Sequence, residues 1–250
     1  VHNKAAVREV LRSAEAGLNA SAISNGTGVP RSTVRDWLRG DLPASYRDPP
    51  SDAEPRPVDL PPAYAYLLGV YLGDGCISAH PRGVFRLRIS LDAKYPGIIV
   101  ECKAAIRAVV PENRVWQGAR PSRFTGRAEK TCVEVSAYSK RWPSLFPQHG
   151  PGRKHERKIE LAGWQWATVR AQPERALRGL IHSDGCRSMN TVRNWRQPRY
   201  SFHNTSADIL EIFEAICRLV DVHSTRAPKT VYVSRKADVA TLDRFIGPKR

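Results

Sequence analysis

The chain has 250 residues, 41% of them hydrophobic, room for one large domain or two to three small ones. Its 40 Lys and Arg against 24 Asp and Glu leave a formal charge of +16, which favours a polyanionic partner, either nucleic acid or an anionic membrane surface. The longest apolar stretch, Ala63 to Leu72, is about half a bilayer span, and Lys4, Arg8, Glu9 and Arg12 interrupt any apolar run near the start; neither a spanning helix nor a secretory leader is expected, and the reading is cytoplasmic.

Residues 1–40 read as a small all-α domain. Ala6, Val7, Val10, Leu11 and Ala14 form a stripe at helical spacing over Asn3 to Glu15. A second helix begins near Ser21, Gly28 makes a turn, and a third runs from Pro30 to Arg39 with Val34, Trp37 and Leu38 on one face. Ser24, Gly28 and Val34 have the spacing of a helix-turn-helix, although alanine is usual at the Ser24 position. The resemblance to a helix-turn-helix implies that Arg31, Ser32, Thr33 and Arg35 lie on the solvent face or near the start of a recognition helix, where they are expected to meet base edges and phosphates. The alternative is a plain three-helix packing module with solvated basic residues. Residues 41–61 hold most of a proline run (43, 49, 50, 55, 57, 61 and 62) and read as a semi-rigid linker.

From residue 62 one pattern occurs twice. Tyr66-Leu67-Leu68-Gly69-Val70-Tyr71-Leu72-Gly73-Asp74-Gly75-Cys76 recurs 110 residues later as Ala176-Leu177-Arg178-Gly179-Leu180-Ile181-His182-Ser183-Asp184-Gly185-Cys186. Each copy is a helix that follows proline and closes on aspartate and glycine, the glycine read as a left-handed cap. Gly69 with Gly73, and Gly179 with Ser183, lie four apart on one face, so two such helices can approach backbone to backbone. Crossing there brings Asp74 and Asp184 out side by side. A carboxylate at the negative end of a helix is disfavoured, and a divalent cation would compensate it.

Further elements follow in matching order. Val84 to Ser90 alternates apolar and basic residues, a strand with one buried and one basic face. Pro96 to Val110 is an amphipathic helix; Val115 to Gln117 and Thr131 to Ser136 are strands; Trp142 to Phe146 is a short apolar segment. In the second half the plan continues with the strand Tyr200 to Asn204, the helix Asp208 to Val220, the strand Val231 to Ser234 and the helix Asp238 to Ile246. Ser90-Leu91-Asp92 is matched to Ser206-Ala207-Asp208, and Val133–Ser136 to Val231–Ser234. Five scattered cysteines (76, 102, 132, 186 and 217) without CxxC spacing read as reduced core residues, neither disulfides nor zinc ligands. His182 reads as a helix-surface residue.

The paired stretches resemble the motifs of the LAGLIDADG (DOD-type) homing endonucleases and their relatives. This sequence departs from them at Leu72 and His182, where an acid is frequent, and at Arg178, where alanine is frequent. The resemblance covers about residues 62–250 and implies an α+β fold: tandem pseudo-symmetric αββα-type repeats (62–150 and 151–250) forming a saddle over double-stranded DNA, preceded here by the helical domain. It implies catalytic Mg²⁺ or another divalent metal on Asp74 and Asp184, and a basic residue beside the cleaved phosphate. The basic connector from Gly150 to Lys158 offers Lys154 and Lys158 for that role; Lys140, Arg235 and Lys236 follow the late strands at roughly matching places. Arg86, Arg88, Arg193, Arg196, Arg199 and His203 on or beside strands, and Lys236, are expected to face DNA. Because the repeats pair within one chain, a monomer is expected.

Two functions are carried forward. One is a metal-dependent, site-specific DNA endonuclease. The other is a transcription regulator, nucleoid-associated, on a scaffold that no longer cuts. An RNA-associated splicing assistant is a third reading.

Overall fold

The computed structural model describes residues 4–39, 41–42, 60–120, 131–192, 195–247 and 249. It divides into two compact units, Val1–Arg56 and Pro57–Arg250. Asn3, Gly40, almost all of the proline-rich linker, and Arg193 lie outside the described residues.

In the smaller unit, α1 (Lys4–Glu15), α2 (Ala20–Thr27) and α3 (Arg31–Leu38) enclose Val7, Val10, Ile23, Val29, Val34 and Trp37. Asn19 starts α2 by accepting from the amides of Ser21 and Ala22. Gly28 ends it with φ +70°, a left-handed turn that glycine adopts without penalty. Ser24 donates from its hydroxyl to Val29 O at 2.7 Å, which ties the end of α2 to the turn before α3.

The larger unit contains the same element order twice. The first repeat is α4 (Ala63–Asp74), β1 (Gly75–His80), β2 (Val84–Asp92), α5 (Pro96–Val109), β3 (Val115–Arg120), β4 (Cys132–Ser139) and α6 (Trp142–Leu145). After α7 (Gly163–Ala171), the second is α8 (Pro173–Asp184), β5 (Gly185–Val192), β6 (Trp195–His203), α9 (Ala207–Leu219), β7 (Thr225–Ala227), β8 (Thr230–Val233) and α10 (Lys236–Asp243). The sheets are antiparallel, with orders β1-β2-β4-β3 and β5-β6-β8-β7. This is the tandem pseudo-symmetric α+β arrangement expected, but each αββα core is extended to four strands. Strands β1 and β5 escape sequence reading because they begin without any turn, and residues such as Cys76-Ile77-Ser78-Ala79 carry no strong alternation.

That direct passage from helix to strand corrects the expected glycine caps. Gly75 (φ −91°, ψ 149°) and Gly185 (φ −96°, ψ 164°) are extended. Space requires glycine there: a Cβ would sit 2.7 Å from Tyr71 Cα in one case and 2.6 Å from Ile181 Cα in the other.

Strand register also corrects the internal alignment. Gly75 pairs with Ile89, and Gly185 with Phe202, so Leu87 corresponds to Tyr200 and Arg86 to Arg199. Ser90–Asp92 closes β2, whereas Ser206 caps α9 and Ala207 and Asp208 begin it; they are not counterparts. Leu87 pairs with Ala137 and Tyr200 with Val233, so Val135 corresponds to Val231. The two-residue slip from the sequence match preserves which face each side chain occupies.

One continuous apolar core runs through both repeats. From Tyr64 to Leu72 every residue of α4 is buried, since it is enclosed by its own repeat on one side and α8 on the other. Cys102 and Cys217 are buried in this core, but Cys76 and Cys186 are exposed, each the first residue of its strand on the face away from the core. No helix among the described residues is long and apolar enough to cross a membrane.

Candidate metal and nucleic-acid site

The geometry begins where α4 and α8 cross. A Cβ on Gly69 would lie 2.5 Å from Ala176 O and 2.7 Å from Leu180 N. One on Gly179 would meet Tyr66 O, and one on Gly73 would meet Ser183 and lie 2.8 Å from Asp184 Oδ2. Gly69, Gly73, Gly179 and Ser183 therefore form the contact itself, backbone against backbone at Gly69 and Gly179 and with the Ser183 side chain against Gly73. Because each helix ends one residue after Gly73 or Ser183, Asp74 and Asp184 emerge together.

These carboxylates are partly buried and repel each other. Burial, and then the charge of Asp184, pushes the Asp74 carboxyl up to about 7. Burial also raises Asp184, opposed by Asn204, whose amide donates to Asp184 Oδ2 at 2.8 Å. The residue matching Asn204 in the first repeat is Leu91 by strand register, so the two aspartates have unlike surroundings.

Both line a cavity of 690 Å³ with Tyr71, Cys76, Lys154, Arg157, His203 and Asn204. Lys154 reaches it from a short 3₁₀ turn, Lys154–Glu156. Its ammonium donates to Tyr71 O, to Leu72 O at 2.9 Å and to Gly73 O at 3.2 Å, and stands 4.7 Å from the Tyr71 ring centroid. It thus neutralises the negative end of α4. Burial pushes its ammonium down to about 8, against the pull of Asp184 and Asp74. Lys158 does not reach the site. The chain leaves the cavity extended at Arg157, and Lys158 pairs in solvent with Glu160 at 2.5 Å.

A second cavity, of 340 Å³, flanks Asp74 on the other side and is lined by Tyr95, His182, Ser183, Cys186 and Lys249. Lys249 donates to Ser183 O at 3.4 Å, and burial lowers its ammonium from the ordinary range. Ser183 occupies in α8 the place of Gly73 in α4, so Lys249 is the second repeat's counterpart of Lys154. Sequence reading missed it. The signal was there: Gly150-Pro151 precedes Lys154, and Gly247-Pro248 precedes Lys249. His182 is buried, not on a helix surface: its Nδ1 lies 3.1 Å from Tyr66 Oη, and burial holds it down to about 4.

On β2 the apolar residues Leu87, Ile89 and Leu91 face the core, which puts Arg86 and Arg88 on the open face. Arg86 is paired there with Glu134 at 2.6 Å. Arg199 shares the open face of β6 with Ser201 and His203 and stands 4.6 Å from the Tyr232 ring centroid. Nε of Arg88 and of Arg199 is buried without a partner among the described residues. Arg196 differs: three residues from Arg199, it alternates onto the opposite side and is exposed at the end of the strand. Lys140, Arg235 and Lys236 are exposed and line neither cavity. In the smaller unit Arg31, Ser32 and Arg35 are exposed in α3, and Thr33 is half-buried.

The donor set fits a divalent cation. Two carboxylates raised by burial, Asp74 further by the charge of Asp184, would both be relieved by a bound hard cation. No group of three His, Cys, Asp or Glu side chains converges among the described residues. Asp74 and Asp184 would therefore be the acid ligands, with further oxygens from backbone, water or a bound phosphate.

No family model and no curated protein matches the chain. Among solved structures it is similar to the homing endonuclease I-WcaI bound to its DNA recognition sequence: 14% identity, TM-score 0.49, covering 76% of this chain and 83% of that one. It is also similar to the N-terminal LAGLIDADG domain of DUF199/WhiA, with 14% identity, TM-score 0.44 and coverage of 78% and 86%. A third is the I-SmaMI LAGLIDADG homing endonuclease bound to cleaved DNA, with 8% identity, TM-score 0.43 and coverage of 74% and 83%. In the larger unit two motif helices cross at glycine, and each continues into its own four-stranded sheet.

Proposed function

We propose that the chain is a divalent-metal-dependent, site-specific DNA endonuclease that acts as a single chain, with its N-terminal helices as an added helix-turn-helix DNA-binding module. The carrying observation is the pair Asp74 and Asp184, recessed together between Lys154 and Lys249. Confining two like charges is costly, and a protein that only binds DNA gains nothing from it. Asparagine would fill the same space without that cost.

In this reading Asp74 and Asp184 hold Mg²⁺ or a similar ion. When bound, such an ion activates water and stabilises charge on the departing oxygen. Lys154 and Lys249 set positive charge against the scissile phosphates from opposite flanks. Arg88 and Arg199, each with an unpartnered Nε, donate to backbone phosphates. Arg31, Ser32, Thr33 and Arg35 supply contacts from α3.

The test is incubation with a randomised duplex library with and without Mg²⁺. Metal-dependent double-strand breaks at one sequence support the nuclease. Selective retention of one sequence without breaks overturns it in favour of the second reading, a non-cutting DNA-binding regulator, which the exposed basic start of α3 favours. Both readings expect log affinity to fall against log salt with a slope near −0.9 per phosphate contact.

A further inference from the structure

Lys154 and Lys249 occupy matching places but are held by different means. Lys154 is fixed by its own contacts, with three carbonyls at the end of α4 and the Tyr71 ring. Among the described residues, Lys249 has a long bond to Ser183 O at 3.4 Å and lies 5.8 Å from the Tyr95 ring centroid. The backbone shortly before it is bonded by Arg178.

The Arg178 guanidinium forks onto Glu101 of α5, Nε to Oε1 at 2.7 Å and Nη2 to Oε2 at 2.8 Å. Its remaining nitrogen, Nη1, donates to Phe245 O at 2.8 Å and to Ile246 O. The next residue, Gly247, turns at φ +66°, and a Cβ there would lie 3.6 Å from Arg178 Nη1. Two residues on, Lys249 enters the cavity beside Asp74. Burial of Ile246 seats this segment, and the guanidinium holds the carbonyls immediately before the turn. The planar fork meets both carboxylate oxygens and two carbonyls in four bonds, one more than the three protons of an ammonium allow.

We propose that Arg178 is the positioning residue for Lys249: by holding the carbonyls of Phe245 and Ile246 it sets the turn that delivers the ammonium to the Asp74 flank of the site. The consequence for catalysis rests on the nuclease reading, whereas the placement of Lys249 does not. The second flank thus depends on a side chain that holds the segment carrying the lysine, whereas at the first the helix end and the Tyr71 ring meet the ammonium directly.

The test uses the full chain as wild type, R178A, R178K, K249A and R178A/K249A, each first checked for a cooperative thermal transition. Brief acylation with acetic anhydride, read by peptide mass spectrometry, is expected to label Lys249 several-fold more in R178A than in wild type, with Lys154 unchanged. R178K should fall between them and serves if R178A does not fold. Equal labelling of Lys249 in wild type and the folded Arg178 variants overturns the proposal. With an end-labelled cognate duplex, R178A should slow the same strand as K249A, about tenfold, and the double variant should be no slower than K249A. Equal slowing of both strands, or full additivity with K249A, overturns it. A wild type that cuts no duplex with any divalent ion overturns the nuclease reading instead, and the acylation result then decides the placement alone.

Discussion

The two repeats have the same element order and crossing, yet their aspartates are set differently. Asp184 accepts a hydrogen bond from Asn204, where the first repeat has Leu91, and Asp74 sits between two lysines from different segments. Arg187 forks onto Asp243 at 2.7 and 2.8 Å, whereas the matching residue in the first repeat is Ile77. What both repeats keep is what the crossing demands: glycine or serine at the contact, aspartate at its end. Each also brings a lysine to its helix end, but other surrounding side chains have diverged, Asn204 against Leu91 and Arg187 against Ile77. Shared features answer to backbone proximity, which tolerates no change, while surrounding side chains have room to differ.

The largest way to break the comparison is at the aspartates. Replacing either Asp74 or Asp184 by asparagine should reduce strand-resolved cleavage by more than about a hundredfold. DNA retention, measured by gel shift without metal, should change little. Cutting at the wild-type rate by either variant removes that carboxylate from the chemistry.

Next is the crossing itself. Gly179→Ala forces a Cβ against Tyr66 O, so the helices must separate; denaturant unfolding should show a loss of about 3 kcal/mol. Gly83→Ala meets nothing within 4 Å but has φ +68°, and should cost only about 1 kcal/mol. Similar losses at both would mean that close approach is not what requires glycine at the crossing.

Asn204→Leu gives Asp184 the neighbour that register assigns to Asp74. Without the amide donor, the divalent concentration for half-maximal cleavage should rise about tenfold. An unchanged metal requirement would make the asymmetry incidental.

The smallest effect concerns the Arg187–Asp243 fork. Hydrogen bonds from Arg187 and Tyr200 hold the Asp243 carboxyl below the usual carboxylate range. Its contribution is therefore present above the unfolded carboxylate range and is lost as pH falls through the lowered folded value. The pair is more than a third exposed, so screening keeps Asp243→Asn to at most about 1 kcal/mol at pH 7. The gap between variant and wild type should close in acid; a gap that persists there would assign the loss to packing.

Much of this was legible from residues alone. The duplicated stretch, the small face at Gly69, Gly73, Gly179 and Ser183, and the two terminal aspartates are local and periodic, and a helix expresses such patterns directly. Alternation along Val84–Ser90 likewise predicted which side of β2 carries Arg86 and Arg88. Helix ends were less legible, because an extended glycine forced by crowding looks the same in sequence as a left-handed cap. Register was misread for a related reason: identical triplets such as Ser-x-Asp recur by chance, whereas strand pairing is settled by hydrogen bonds across the sheet. Tertiary structure alone decided which cations reach the aspartates. A Gly-Pro pair precedes Lys154 and Lys249 alike, but it takes the chain course to separate a recessed ammonium at a helix end from the solvated ion pair of Lys158. Arg178 looked like a departure from the motif, until Glu101 and the carbonyls of Phe245 and Ile246, all distant in sequence, were folded against it.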